Sequence, residues 1–171
     1  MGMESYSITV LLNGISIEYE DCYQKLIGES KVKTLNIEEK LRIQGLQHIH
    51  DVKWLYNDYL EMFIYHRNGD FQGIEIKGCL SCLREGIKDS FMLINNLREW
   101  YGKVEIYVLG EKTEATKEEE FYKNVYELYK DKIRLFNKQY SNINLKVTCA
   151  EFYKELERQS KWYYKIFKSR I

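Results

Sequence analysis

The stretch NDYLEMFIYHRNGDFQGIEIKGCLSC, residues 57–82, decides the fold. Two runs rich in aromatic and β-branched residues, Leu60–Arg67 and Phe71–Lys77, flank Asn68-Gly69. That dipeptide suits a two-residue type I′ turn, in which both central residues take positive φ. The stretch predicts a β-hairpin, and Cys79-Leu-Ser-Cys82 then leads into a helix over 79–101. Cys79, Leu83, Ile87, Phe91, Ile94, Leu97 and Tyr101 line one face of that helix, and Gly102 stands where helices commonly stop.

Upstream, Val52–Tyr56 reads as a further strand. The segment ITVLL-NG-ISIEY places Asn13-Gly14 between two apolar runs, so residues 6–19 are expected to form a second hairpin. Asn36 can cap a helix from Ile37 to about His50, with Glu38 and Glu39 at its positive end. Downstream, Lys103–Leu109 is a strand, and Thr116-Lys-Glu-Glu119 is a capping-box pattern. It opens a helix with Phe121, Val125, Leu128, Ile133 and Phe136 at helical spacing. Leu145–Cys149 reads as a short strand, and a last helix runs from about Ala150 to Lys168. The expectation is an α/β domain of the mixed α+β kind: a mixed sheet covered by helices, N-terminal hairpins, and a C-terminal strand-helix-strand-helix half with a parallel crossover.

At 171 residues the chain is expected to be one globular domain, 1–171, long enough to bury about two-thirds of its unfolded surface. There is no Pro, where average usage of about 5% would supply eight or so, and no Gly/Ser-rich run that would read as a linker. The 26 basic and 26 acidic side chains divide unevenly: residues 1–85 carry 9 and 13, the remainder 17 and 13. Neither half has the basic excess that by itself marks a nucleic-acid binder. The opening MGMESYSITVLLNG has no basic region ahead of its short apolar run, and nowhere do 18 or so apolar residues follow one another. A cytoplasmic protein is expected, with its four cysteines reduced and no membrane partner. The many Lys, Ile, Asn and Tyr, beside two Ala, fit an AT-rich bacterial genome.

Asn57-Asp58, followed after sixteen residues by Glu75-Ile76-Lys77, resembles the PD-(D/E)xK signature of metal-dependent nucleases, with Asn57 where that motif has Pro. The resemblance covers about 70 of 171 residues. It implies Mg²⁺ or Mn²⁺ held by Glu75 with Asp58 or Asp70, and Lys77 helping to activate water. Hairpin counting tests it. With Arg67 opposite Asp70, Met62 faces Glu75, and Asp58 shares Glu75's face but lies four residues further on, roughly 13 Å at about 3.3 Å per residue. Asp70 has the opposite parity. The same counting puts Leu60, Met62, Ile64 and Phe71 on Glu75's face. A bulge would alter all of this. The alternative is that Glu75 and Lys77 are same-face neighbours in an ordinary polar patch.

Cys79 and Cys82 sit at a strand-to-helix junction, where a helix N-terminus lowers thiol pKa, as in thioredoxin-like motifs. The chain lacks the Pro of such sites, and both cysteines border the apolar stripe, so buried thiols are expected. His48 or His50 with Cys79 and Cys82 resembles the zinc deaminase pattern H-x-E…P-C-x-x-C. His50 occupies the Glu position and Gly78 the Pro position, which removes the proton shuttle and leaves a structural zinc site as the alternative.

Lys154, Arg158, Lys161, Lys165 and Lys168 form a basic stripe opposite Phe152, Leu156, Tyr163 and Phe167, the pattern of an amphipathic surface helix. The fifteen Tyr suit strands and interfaces as well as they suit nucleic acid. The reading that emerges is a small non-enzymatic protein with no cofactor that binds a macromolecule, most readily another protein. Immunity-type proteins that block a toxin belong to this class. The alternatives are a PD-(D/E)xK-type nuclease and a zinc-stabilised binding domain.

Overall fold

The computed structural model describes residues 5–12, 16–29, 32–34, 52–114, 116–140, 148–151, 153–155 and 158. The strands are β1 (Ser5–Leu12), β2 (Lys33–Thr34), β3 (Val52–Tyr56), β4 (Leu60–Arg67), β5 (Asp70–Cys79), β6 (Val104–Val108) and β7 (Glu111–Lys112). The helices are α1 (Tyr19–Glu29), α2 (Leu83–Tyr101) and α3 (Glu118–Tyr140), and a 3₁₀ turn over Leu80–Cys82 precedes α2. One sheet runs in the order β2-β3-β4-β5-β1-β6-β7. The α+β class expected from the sequence is therefore present: helices cover a single sheet.

Every pairing in that sheet is antiparallel, so the expected parallel crossover is corrected. Helix α2 returns the chain beside β1, and β6 pairs with β1 antiparallel from Ile8↔Val108 to Leu12↔Val104. The expected 6–19 hairpin is also corrected. ITVLL lies in β1, an interior strand of the sheet, paired on one edge by β5 and on the other by β6. Ile17 instead accepts a hydrogen bond from the Phe71 amide at 2.9 Å, Glu18 makes an isolated bridge to Asp70, and α1 begins at Tyr19. Asn13 and Gly14 lie outside the described residues, as does the expected helix over 37–50. Cys149, expected at the end of a strand, is helical.

Burial alternates along β1: Tyr6, Ile8 and Val10 are fully covered while Ser5, Ser7 and Thr9 are half-exposed. The covered set packs with Met62, Ile64, Ile74, Ile76, Ile106 and Val108 against Leu26 of α1, Leu83, Ile87 and Ile94 of α2, and Phe121 and Val125 of α3. All three helices thus share one face of the sheet. Tyr6 shows how closely. A Cβ on Gly78 would lie 2.4 Å from its ring and one on Gly86 2.5 Å from its hydroxyl, so only glycine on β5 and α2 leaves room for it. Gly102, at φ 79, ends α2 by donating its amide to the Arg98 carbonyl at 2.8 Å, as the sequence predicts. The capping pattern before α3 is displaced by one residue. Glu120 accepts the Thr116 amide at 3.4 Å, while Glu119 reaches Arg84 at 2.9 Å.

Candidate functional site

The hairpin that carries Glu-x-Lys is bulged. Arg67 pairs with Asp70 and His66 with Phe71, as a two-residue turn requires, but the register then shifts and Tyr65 pairs with Gly73. The extra residue inverts every assignment beyond it. Phe63, not Met62, faces Glu75, and Glu61 faces Lys77. Met62, Ile64 and Leu60 therefore lie on the buried, helix-covered face, not on Glu75's face as strict counting predicts. Glu75 and Lys77 stand on the opposite face beside Glu61, Phe63 and Tyr65, and next to Ser7 of β1.

Neither sequence-nominated aspartate joins them. Asp58 is exposed in the bend between β3 and β4, five residues from Phe63, roughly 16 Å along the strand at about 3.3 Å per residue. Asp70 is likewise five residues from Glu75, at the turn end of β5, where its carboxylate accepts a hydrogen bond from Ser16 at 3.4 Å. Asn57, standing where the nuclease motif has Pro, shapes the bend. Its Oδ1 accepts the amides of Tyr59 at 2.9 Å and Leu60 at 2.8 Å, and its Nδ2 donates to Asp89 at 3.2 Å.

The carboxylate that does join Glu75 is Glu61, which the sequence reading missed. Glu61 is only 2% exposed and accepts a hydrogen bond from the Tyr153 hydroxyl. Burial pushes its carboxyl above the usual range and the charge of Glu75 adds to that, against the pull of Lys77. Glu75 differs. Its Oε1 accepts from Ser7 at 2.9 Å and lies 3.2 Å from Lys77 Nζ, and its Oε2 accepts from Tyr65 at 2.8 Å. Burial alone would raise its pKa; the hydrogen bonds from Tyr65 and Ser7, with the Lys77 charge, outweigh it and hold the group below the usual range. Tyr65 is pushed up to about 12, first by burial and then by the bond it donates to Glu75. Lys77 Nζ also sits 4.7 Å from the centre of the Phe63 ring, a cation–π contact.

The cysteines gather at the other end of β5. Cys79 is its last residue and half-exposed; Cys82, in the 3₁₀ turn, is buried. The group that reaches Cys79 is Cys149, fully buried, whose thiol hydrogen-bonds with it. That bond, and then burial, drive the Cys149 pKa far up and keep its proton in place. His48 and His50 lie outside the described residues. Among the described residues, no group of three or more His, Cys, Asp or Glu is arranged to hold a metal ion.

Residues 149–151 and 153–155 are helical and dock here. Thr148 and Glu151 cap this segment reciprocally, with the Thr148 amide donating to Glu151 at 2.9 Å and the Glu151 amide to Thr148 Oγ1 at 3.2 Å. The Cys149 amide donates to the Asp58 carbonyl at 2.9 Å, and Tyr153 packs between Trp54 and Tyr56. Of the basic stripe, Lys154 and Arg158 are exposed; Lys161, Lys165 and Lys168 lie outside the described residues. No helix among the described residues is long and apolar enough to cross a membrane. No family model, curated protein or solved structure matches this chain.

Proposed function

We propose that the chain acts by binding another protein through the sheet face opposite α1, α2 and α3, in the manner of a small cytoplasmic inhibitor that blocks its partner. The observation that supports this is the composition of that face around Glu75. Phe63, Tyr65 and Tyr107 are half-exposed to exposed there; Glu75 between them is bonded by Ser7 and Tyr65, and Lys77 by Glu75 and the Phe63 ring. Aromatic anchors of low conformational entropy around an internally satisfied polar group are the make-up of an interface centre.

The test uses two charge insertions. Tyr65→Asp alters an exposed position on this face, and Met92→Asp alters an exposed position on α2 behind it. A partner retained from lysate by the wild type and by Met92→Asp, and lost by Tyr65→Asp with the fold intact by thermal denaturation, is the expected result. Loss with both variants, or with neither, removes this face from the proposal.

A nuclease-like metal site is the second reading, favoured by one observation: the bulge sets Glu61 diagonal to Glu75 and directly across from Lys77 on one face. Two carboxylates on neighbouring strands with an adjacent Lys are the chemistry that reading needs. Against it stands the saturation of Glu75 by its three partners. Titration calorimetry with Mn²⁺ on the wild type and on Glu75→Ala separates the two. Protein binding through this face predicts no heat from either; binding by the wild type that is lost in Glu75→Ala establishes the metal site.

A further inference from the structure

The end of β5 holds chemistry that neither reading uses. Leu60 pairs with Gly78, so the Asp58 bend lies alongside the last residue of β5, Cys79. The helical residues 149–151 and 153–155 are tied to this place at two points: the Cys149 amide to the Asp58 carbonyl, and the Tyr153 hydroxyl to Glu61, whose cross-strand partner is Lys77. The first tie places Cys149 at the Asp58 bend beside Cys79, and the two thiols interact there. All four cysteines are thiols here. Cys22 is elsewhere, packed near Tyr101 at the far end of α2.

We propose that Cys79 and Cys149 are a redox latch: a low-molecular-weight disulfide such as oxidised glutathione converts them to an internal disulfide that locks these helical residues onto the sheet. Cys79 opens the exchange because it is the half-exposed member of the pair. Its thiolate attacks one sulfur of the small disulfide and releases one small thiol, leaving a mixed disulfide on Cys79. The Cys149 thiol then loses its proton, its sulfur attacks that of Cys79, and the second small thiol leaves. Two S–H bonds in the protein are replaced by one S–S bond, and the oxidant ends as two thiols. The second step runs faster as pH rises, because the thiolate is the nucleophile and Cys149 is held protonated. Residues 79 and 149 close a long loop, so the cross-link restricts the unfolded chain and raises the Tm.

The experiment is to incubate the full, reduced chain with oxidised glutathione at neutral and alkaline pH, quench by alkylation, and map disulfides by mass spectrometry without reduction. The expected product has lost two hydrogens, carries a Cys79–Cys149 link that forms faster at alkaline pH, and melts roughly 5 °C or more above the reduced protein. Dithiothreitol restores the original Tm. Cys22→Ser and Cys82→Ser form the same link, and Cys149→Ser does not. A Cys79–Cys82 or Cys82–Cys149 link, a glutathione adduct that never resolves, or a Cys79–Cys149 link that lowers the Tm each overturns the proposal. The mapping on the wild type decides the pairing even if a variant folds poorly.

Discussion

Glu61 and Glu75 stand on adjacent strands of the same sheet face, yet their surroundings drive their pKa values in opposite directions. For Glu61 the folded value is raised. Between the unfolded value, about 4.3, and that folded value the native state holds the extra proton, so this group's stabilising share is complete in acid and is lost as pH rises. For Glu75 the folded value is depressed. Its share is present above the unfolded value and is lost as pH falls through the folded one. The variants should therefore diverge. Glu61→Gln keeps an acceptor for Tyr153 while removing a buried charge, and should raise stability at pH 7 by about 1 kcal/mol. Glu75→Gln gives up charge-assisted bonds to Tyr65, Ser7 and Lys77 and should cost about 1–2 kcal/mol at pH 7, a figure held down by the water around this half-buried group. That deficit should shrink toward pH 3. Urea denaturation of both variants at pH 7 and pH 3 measures the two signs. Glu61 was not legible in the sequence, because it stands between Leu60 and Met62 in a run of β-formers and declares its face only once the register is known.

At the scale of elements, the β4–β5 hairpin was legible from Asn68-Gly69, and these two turn residues do adopt φ of 54 and 89. The bulge was signalled by a residue passed over: Gly73 lies inside a strand, which commonly marks a bulge or a close backbone approach. A Cβ there would stand 2.8 Å from the Leu11 side chain and 3.0 Å from the Val10 carbonyl oxygen. Most of the apolar stripes of α2 and α3 was equally legible: Leu83, Ile87, Phe91, Ile94, Leu97, Phe121, Val125 and Ile133 are buried, whereas Tyr101, Leu128 and Phe136 are half-exposed and Cys79 belongs to β5. The N-terminal hairpin misled because a turn dipeptide between apolar runs says nothing of distant competitors, and β1 finds better partners in β5 and β6. Two helical glycines make a paired prediction. In α1 a Cβ on Gly28 meets nothing within 4 Å, so Gly28→Ala should stabilise by about 0.5–1 kcal/mol through lost chain entropy. In α2 the same change at Gly86 drives into the Tyr6 hydroxyl and should cost about 1–3 kcal/mol despite the better helix propensity. Chemical denaturation of the two variants side by side tests the contrast.

On the scale of the whole molecule, the alternation of strands and helices in the second half gave β6 and α3 correctly and the strand direction wrongly, while most of the expected last helix lies outside the described residues. Direction belongs to the partner, not to the alternation: β6 follows α2 but pairs with β1, from the other end of the chain. The polar residues that carry the functional argument were hidden for the same reason. Glu61 and Glu75 share one hairpin, but Ser7 meets Glu75 only because β1 is inserted beside β5, and Tyr153 reaches Glu61 from some ninety residues further along the chain.

That interior position of β1 also shapes how the protein is made. β2, β3 and β4 can each pair with the strand that follows as soon as it emerges, whereas β1 has no strand neighbour before residue 70 and none on its other edge before residue 104. During synthesis it leaves the ribosome before either partner strand and waits, with both edges and Ile8, Val10 and Leu11 exposed, until β5 and then β6 follow. Pairings this distant in sequence close late, after local hairpins have formed. Pulse-labelled hydrogen exchange during refolding should find the β4 and β5 amides protected before those of β1. A nascent chain halted before residue 104 should be bound by chaperones at β1, the strand that ends up between β5 and β6.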